Sequence, residues 1–138
     1  MTLSVSDRLD ILDLYSRYTH AIDLHGGAAW AECFTEDGGL EIPYRGQVTA
    51  GREAIHEVAE SYGLRSGGFT RHVTTNIAFR EVGDIVVGEA YLMMLRGGWA
   101  EAPPYIEMSG RYEDEIVQVD GRWVFRRRVL IVDTRPAT

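Results

Sequence analysis

The hydrophobic pattern changes period once along the chain. Before Gly67-Gly68 apolar residues recur at helical spacing, and after it they alternate. The first helix starts near Ser4 or Ser6, either of which can cap it, with Asp7 favourable in the first turn. It runs to about Leu24 and stops at Gly26-Gly27. A short second helix, Ala28 to about Phe34, carries Trp30, and residues 35–39 are turn chemistry. Leu40 to Tyr44 reads as a short strand cut by Pro43, Arg45-Gly46-Gln47 turns the chain, and a third helix runs from Gly51 to about Tyr62-Gly63. Four long strands follow: Thr70–Val82, Ile85–Leu95, Tyr105–Val119 and Arg122–Asp133. Gly83-Asp84 and Asp120-Gly121 supply two hairpin turns, and a loop, 97–104, carries Trp99. Helices first and an antiparallel meander last predict an α+β domain, with the sheet curled around the first helix and a cavity between them.

One residue of the first helix does not fit its surroundings. At 100° per residue, Ile11, Leu12, Tyr15, Thr19 and Ile22 fill one arc, with Asp10, Asp13, Arg17 and His20 opposite. Asp23 falls between Leu12 and Leu9, inside the apolar arc. A carboxylate buried there needs a partner or a cavity, since burying it alone costs several kcal/mol. Alternatively, the last helical turn frays before Gly26-Gly27 and Asp23 points into solvent. The helix by itself leaves both open.

Composition narrows the class. The 138 residues make one domain, 1–138, with ordinary globular content: 45% hydrophobic and 25% charged. A net charge of −7 argues against a nucleic-acid partner. The one basic run, Arg126-Arg127-Arg128, sits in an alternating strand and is divided between two faces. A single cysteine, Cys33, excludes an internal disulfide. No run is long enough to span a membrane and the N-terminus lacks a signal-peptide pattern, so the expected location is cytoplasmic. There is no internal repeat.

A candidate partner for Asp23 lies on the first long strand. Alternation puts His72, Thr74 and Asn76 on one face and Val73, Thr75 and Ile77 on the other, and either face can be the inner one. If His72 reaches Asp23, the carboxylate holds one ring nitrogen and the other is free to take a proton from a substrate. No nucleophile elbow accompanies the pair. His20 and His25 give only loose metal-ligand spacing, so no metal is expected. His56, beside Glu57 in the third helix, reads as a surface residue. Tyr18 precedes Asp23 by five positions, which an ideal helix separates by about 140°. Both line one cavity only if it is broad or the helix end is distorted. The Tyr18 hydroxyl can then donate to a developing oxyanion or a leaving hydroxyl; the alternative is a core tyrosine.

Several stretches in this order resemble the SnoaL-like group of the nuclear transport factor 2-like superfamily. They are the Tyr-x-x-x-x-Asp ending of the first helix, Arg71-His72-x-x-x-Asn76, Gly110-Arg111-Tyr112-x-Asp114 and Asp120-Gly121-Arg122-Trp123-x-Phe125-x-x-Arg128. The resemblance covers nearly the whole chain. It implies a cone of curved antiparallel sheet, an α+β barrel closed by helices, with the pocket inside and a homodimer as the usual assembly. Relatives include scytalone dehydratase, bile-acid 7α-dehydratase, a dehydrochlorinase, polyketide cyclases, ketosteroid isomerase and limonene-epoxide hydrolase. In the dehydratase and dehydrochlorinase branch an Asp–His pair acts as general base, and Asp23 and His72 match those positions. Tyr18 matches a tyrosine of the bile-acid enzyme in spacing, and Arg128 an arginine that lines the dehydrochlorinase pocket. The epoxide hydrolase's Asp-Arg-Asp arrangement has no clear counterpart here, and ketosteroid isomerase uses a carboxylate without a histidine.

The expectation is a cofactor-free lyase that eliminates water from a cyclic, largely apolar, oxygenated small molecule of polyketide, steroid or terpenoid type. Asp23, His72 and Tyr18 carry the chemistry. Tyr18 or Asn76 assists the leaving oxygen, Arg128 lines the pocket, and Trp30, Phe69, Met93 and Met108 form apolar walls. The loop 97–104 is a lid or a long turn. Alternatives are a polyketide cyclase or isomerase with the same dyad, or a non-catalytic ligand-binding or accessory subunit such as the β subunit of ring-hydroxylating dioxygenases.

Overall fold

A computed structural model describes residues 2–66, 69–97 and 103–133. Helix α1 (Val5–His20) begins at Ser4, whose hydroxyl accepts from the Asp7 backbone N–H while the Asp7 carboxylate accepts from the Ser4 backbone N–H. This reciprocal cap satisfies two of the N–H groups a helix start leaves open. The Trp123 indole also donates to Asp7 at 3.1 Å, tying the cap to the last strand. Helix α2 is shorter than expected, Gly27–Ala31, and α3 spans Arg52–Ser66. Gly27 is required where α2 meets α3, because a Cβ there would collide with His56.

Six strands form one sheet: β1 (Phe34–Ile42), β2 (Gln47–Ala50), β3 (Thr70–Val82), β4 (Ile85–Arg96), β5 (Tyr105–Val119) and β6 (Arg122–Val132), in the spatial order β2-β1-β6-β5-β4-β3. The four long strands fall where alternation places them. The front of the sheet differs from expectation. Phe34, assigned to a helix, opens β1 and is fully buried, and the turn-like 35–39 stretch is absorbed into that strand. An irregularity between Phe34 and Gly39 explains this: β1 departs from its ladder there, so its turn residues interrupt pairing without ending the strand. β1 runs parallel to β6, the exception in an otherwise antiparallel sheet, and β2 caps its outer edge. The curved sheet stays open, with β2 and β3 as its edges.

Two register shifts decide which residues face inward. On β3 the pairing with β4 shifts between Thr75 and Ala78, and Asn76 there adopts φ 54. The extra residue reverses the faces, so Ile77 and Phe79, of opposite parity to His72 and Thr74, pack on the core. On β6 a shift between Glu115 and Ile116 of its partner lets Phe125 and Arg128 both point inward. Arg126 and Arg127 turn outward to Glu115 and Glu41. The core is the concave face, where Tyr15 and Tyr18 of α1 meet Phe34 and Phe125 edge-on at 5.4–5.9 Å. Among the described residues no helix is long and apolar enough to cross a membrane.

The cap makes a pH-dependent prediction. Hydrogen bonds from Ser4, then from Trp123, hold the Asp7 carboxyl below the ordinary carboxylate value. A group depressed on folding stabilises above its unfolded pKa and loses that contribution as pH falls through the folded value. Asp7→Asn should therefore lower the thermal midpoint at pH 7 more than in strong acid. Equal losses at both would show that the charge contributes nothing to the cap.

Candidate active site

The chain leaves α1 through one π turn, Ala21–His25, closed by the Gly26 N–H donating to the Ala21 carbonyl at 2.9 Å. A π turn accommodates an extra residue and re-aims the side chains it carries. The buried side of α1 is Ile11, Leu14, Tyr15, Tyr18 and Thr19, while Leu9 and Leu12 are 61% and 39% exposed. Asp23 is thus buried by the π turn and by β3, not by continuing an arc through Leu9 and Leu12. The same turn is the distortion needed for Tyr18 and Asp23 to serve one site.

Asp23 and His72 meet. The Asp23 side chain is 5% exposed and that of His72 10%, with Nδ1 of the ring 2.6 Å from Oδ1 of the carboxylate. The other oxygen, Oδ2, accepts from the His72 backbone N–H at 2.7 Å, and the Thr70 hydroxyl donates to Oδ1 at 3.2 Å. Three donors therefore fix the carboxylate. An ionised carboxylate only accepts, so Nδ1 carries the ring proton and Nε2 is left with its lone pair free.

His72 lines a cavity of about 510 Å³ inside the sheet, a volume in the range of small-molecule sites. Its deep side is Tyr18, Trp30 and Tyr112, and its walls include Ile22, Val58 and Met94. Its open side is polar: Arg45, Gln47 and the Arg96–Glu107 pair, which bonds at 2.7 Å. The Tyr62 ring stands edge-on to His72 at 5.7 Å, and its hydroxyl contacts the Met94 sulfur at 3.1 Å. Burial raises the Tyr62 phenol's pKa.

Arg128 lies beneath this floor. It is fully buried and does not line the cavity. Nε and Nη2 donate to the two oxygens of buried Asp114 at 2.8 and 3.0 Å, and the Tyr15 hydroxyl adds a third bond to Asp114 at 2.7 Å. Gly88 makes room for that hydroxyl, with which any Cβ would collide. The guanidinium carbon is 3.6 Å from the Tyr112 ring centre, 4.1 Å from Phe125 and 4.3 Å from Tyr18. Burial alone would lower the Arg128 pKa, but the Asp114 carboxylate outweighs it and the net direction is upward. Arg128 stays charged.

Of the residues anticipated for the site, the cavity gathers Tyr18, Trp30, His72 and Met108, with Asp23 behind His72. Arg128 is displaced from the lining because Asp114 on the neighbouring strand captures it. Asn76 is exposed at the β3 bulge, which breaks the alternation that placed it beside His72. Phe69 is covered by the Arg71 guanidinium at 5.1 Å and is not a wall. Met93 points outward, 41% exposed, and its neighbour Met94 takes the inner position at 4%. Trp99 and the rest of 98–102, in the stretch considered as a lid, lie outside the described residues.

Tyr62, Tyr112 and Met94 were missed. Two of them had a signal: Ala90, Leu92 and Met94 share one strand face, and Tyr112 shares another with Asp114. Tyr62 comes from α3, whose orientation on the cavity no motif encodes. Among the described residues no three His, Cys, Asp or Glu side chains gather as a metal-ligand set.

A family model described as the SnoaL-like domain matches residues 3–129. The chain belongs to the SnoaL-like family. A solved relative is Rv3472 of Mycobacterium tuberculosis, a protein of unknown function whose structure is that of an aspartate-to-asparagine variant. It is 34% identical over 93% of this chain and 72% of that one, with a TM-score of 0.83. A Novosphingobium aromaticivorans protein provisionally named a scytalone dehydratase is 26% identical over 94% of this chain and 86% of its own, with a TM-score of 0.80. Aln2 from a Streptomyces species shares the fold at 24% identity, covering 96% of this chain and 95% of its own, with a TM-score of 0.85. No curated protein matches the chain.

The buried ion pair beneath the cavity is a point where the fold is easily broken. Asp114→Ala leaves an uncompensated guanidinium in the core and should destabilise the protein by about 3–5 kcal/mol. Urea denaturation checks this as a lower midpoint at unchanged slope; a shift of under about 1 kcal/mol would mean that Arg128 has found another partner.

Proposed function

We propose that this SnoaL-like protein is a lyase of the dehydratase type, in which Asp23 and His72 abstract a proton from a cyclic, largely apolar, oxygenated small molecule. The reading rests on one observation above the others: a histidine held at Nδ1 by a buried carboxylate, on the wall of a cavity of about 510 Å³. Asp23 fixes the tautomer and orientation of the ring and stabilises the imidazolium that forms. Nε2 then takes a proton from the carbon beside a carbonyl, and Tyr18 on the cavity's deep side hydrogen-bonds an oxygen of the substrate. The apolar walls favour a hydrophobic ring system, and the polar open side leaves room for its oxygen substituents. The relative named as a scytalone dehydratase supports the same reaction class. The chemistry needs only side chains.

The test is a panel of cyclic β-hydroxy ketones, followed by the ultraviolet absorbance of the conjugated enone that loss of water creates. His72→Ala should lower turnover about 10²–10⁴-fold or more, the usual contribution of a positioned base, in a protein that remains folded at the assay temperature. Asp23→Asn should fall in the same range, because the amide can donate to Nδ1 and so draw the ring proton to Nε2, where the lone pair is needed. Full activity in His72→Ala would sink the mechanism.

A further inference from the structure

Leaving the Asp23–His72 pair aside, the charges on the cavity lining do not balance. Among the described residues its cations are Arg45 and Arg96, and its carboxylate is Glu107. Arg96 lies on β4, two residues from the partner of His72, and spends its Nε on Glu107 at 2.7 Å. Arg45 comes from the other edge of the sheet, in the tip of the β1–β2 hairpin. Pro43 opens the single helical turn that carries it, Pro43–Arg45, and the Gly46 N–H closes that turn on the Pro43 carbonyl at 2.9 Å. Ile42 and Gln47 pair across the base of the tip and both line the cavity, so Arg45 is held at its rim. It is exposed there, and among the described residues it makes no hydrogen bond and no ion pair. Glu41, the acidic residue nearest to it in sequence, is taken by Arg127 through both oxygens.

We propose that Arg45 is a specificity residue of this site, which takes a carboxylate carried by the ring substrate at the end remote from the reacting carbon. The proposal rests on the proton-abstraction reading for which end of the substrate reacts; recognition of the anion rests on Arg45 alone. The substrate is then an acid with an apolar ring body. It enters ring first, its carboxylate stays at the rim, and the ring reaches the deep aromatic side that His72 shares.

The distribution of charge favours that orientation over its reverse. Arg45 and His72 stand on opposite edges of the sheet with the cavity between them. At the His72 edge the Asp23 carboxylate would repel a second anion, and Arg96 is already neutralised by Glu107. At the hairpin edge the cation has no counter-ion, and its planar fork of donors matches the two oxygens of a carboxylate. One surplus positive charge suits a monoanion; a phosphate dianion would leave a second charge unmatched, with Glu107 on the same lining. The chain as a whole carries −7, so its overall field opposes an acid and the local cation must supply the attraction.

Calorimetric binding of 2-naphthoate and of 2-naphthamide, one two-ring body with and without the charge, tests the site without turnover. Wild-type protein should bind the naphthoate about fivefold more tightly at low salt, the range of one solvent-facing ion pair, and lose most of that preference at high salt. Arg45→Gln should bring the two probes to parity by weakening the naphthoate and not the amide, and Arg45→Glu should reverse their order. Both substitutions are on an exposed turn and remove no core contact. Equal binding of both probes by wild type, binding of neither, or a preference that survives Arg45→Gln overturns the assignment. A preference lost in His72→Ala but kept in Arg45→Gln would place the carboxylate at the dyad and overturns it equally. In the enone assay, Arg45→Gln should raise KM about fivefold for a ring ketone bearing a carboxylate, with a smaller change in kcat, because the contact is the same in the ground and transition states. An Arg45-dependent preference for naphthoate without enone formation from any ketone removes the lyase reading and leaves the anion site standing.

Discussion

A guanidinium sealed in an apolar core is the constraint around which this fold closes. Arg128 is fully buried, and an isolated charge in such a place costs far more than one side-chain contact returns. The chain meets that cost with three elements at once. β5 brings Asp114 opposite Arg128, β4 leaves space at Gly88, and α1 sends Tyr15 through that space to the carboxylate. The aromatic rings around the cation come from α1, β5 and β6, so helix and sheet cannot slide past each other without exposing the charge. The ion pair adds position more than stability. A hydrophobic pair of similar volume would be at least as stable but would not fix the register so closely.

Asp23 does at the cavity wall what Asp114 does at its floor. Each carboxylate takes several donors and each ties α1 or its extension to the sheet. The difference is the partner's freedom. Arg128 has no contact with the cavity, whereas His72 is part of its lining. The π turn separates the two uses of one helix, letting Tyr15 and Tyr18 face the core while Asp23, a few residues on, reaches β3.

How much of this could be read from sequence follows from which forces are local. The four long strands and the hairpin turns were legible because alternation and turn residues act over a few positions. So was the pairing of Asp23 with His72, once the order of motifs supplied the fold. What failed was whatever depended on a register shift. Asn76 looked like a neighbour of His72 until one extra residue reversed the face of β3. Met93 was chosen over Met94 because β4 is apolar on both faces, and the parity became visible only through its pairing with Met108. Arg128 was placed in the cavity because a motif gives a position but not the carboxylate that intercepts it. The π turn had no signature in residues 21–25, so the buried arc was drawn through Leu9 and Leu12, which the structure exposes.

The arrangement also explains why the phenols, and not the arginine, are the groups that can face a substrate. A guanidinium open to the cavity would bind an anion in the ground state and hold it, which lowers KM without lowering the barrier. Placed behind the Tyr18 and Tyr112 rings, the same charge is kept from direct contact with anything in the cavity. Tyr18 and Tyr112 are in turn fixed by their contacts with Arg128 and with each other. The ion pair that locks the fold therefore also sets the position of the two rings that line the cavity.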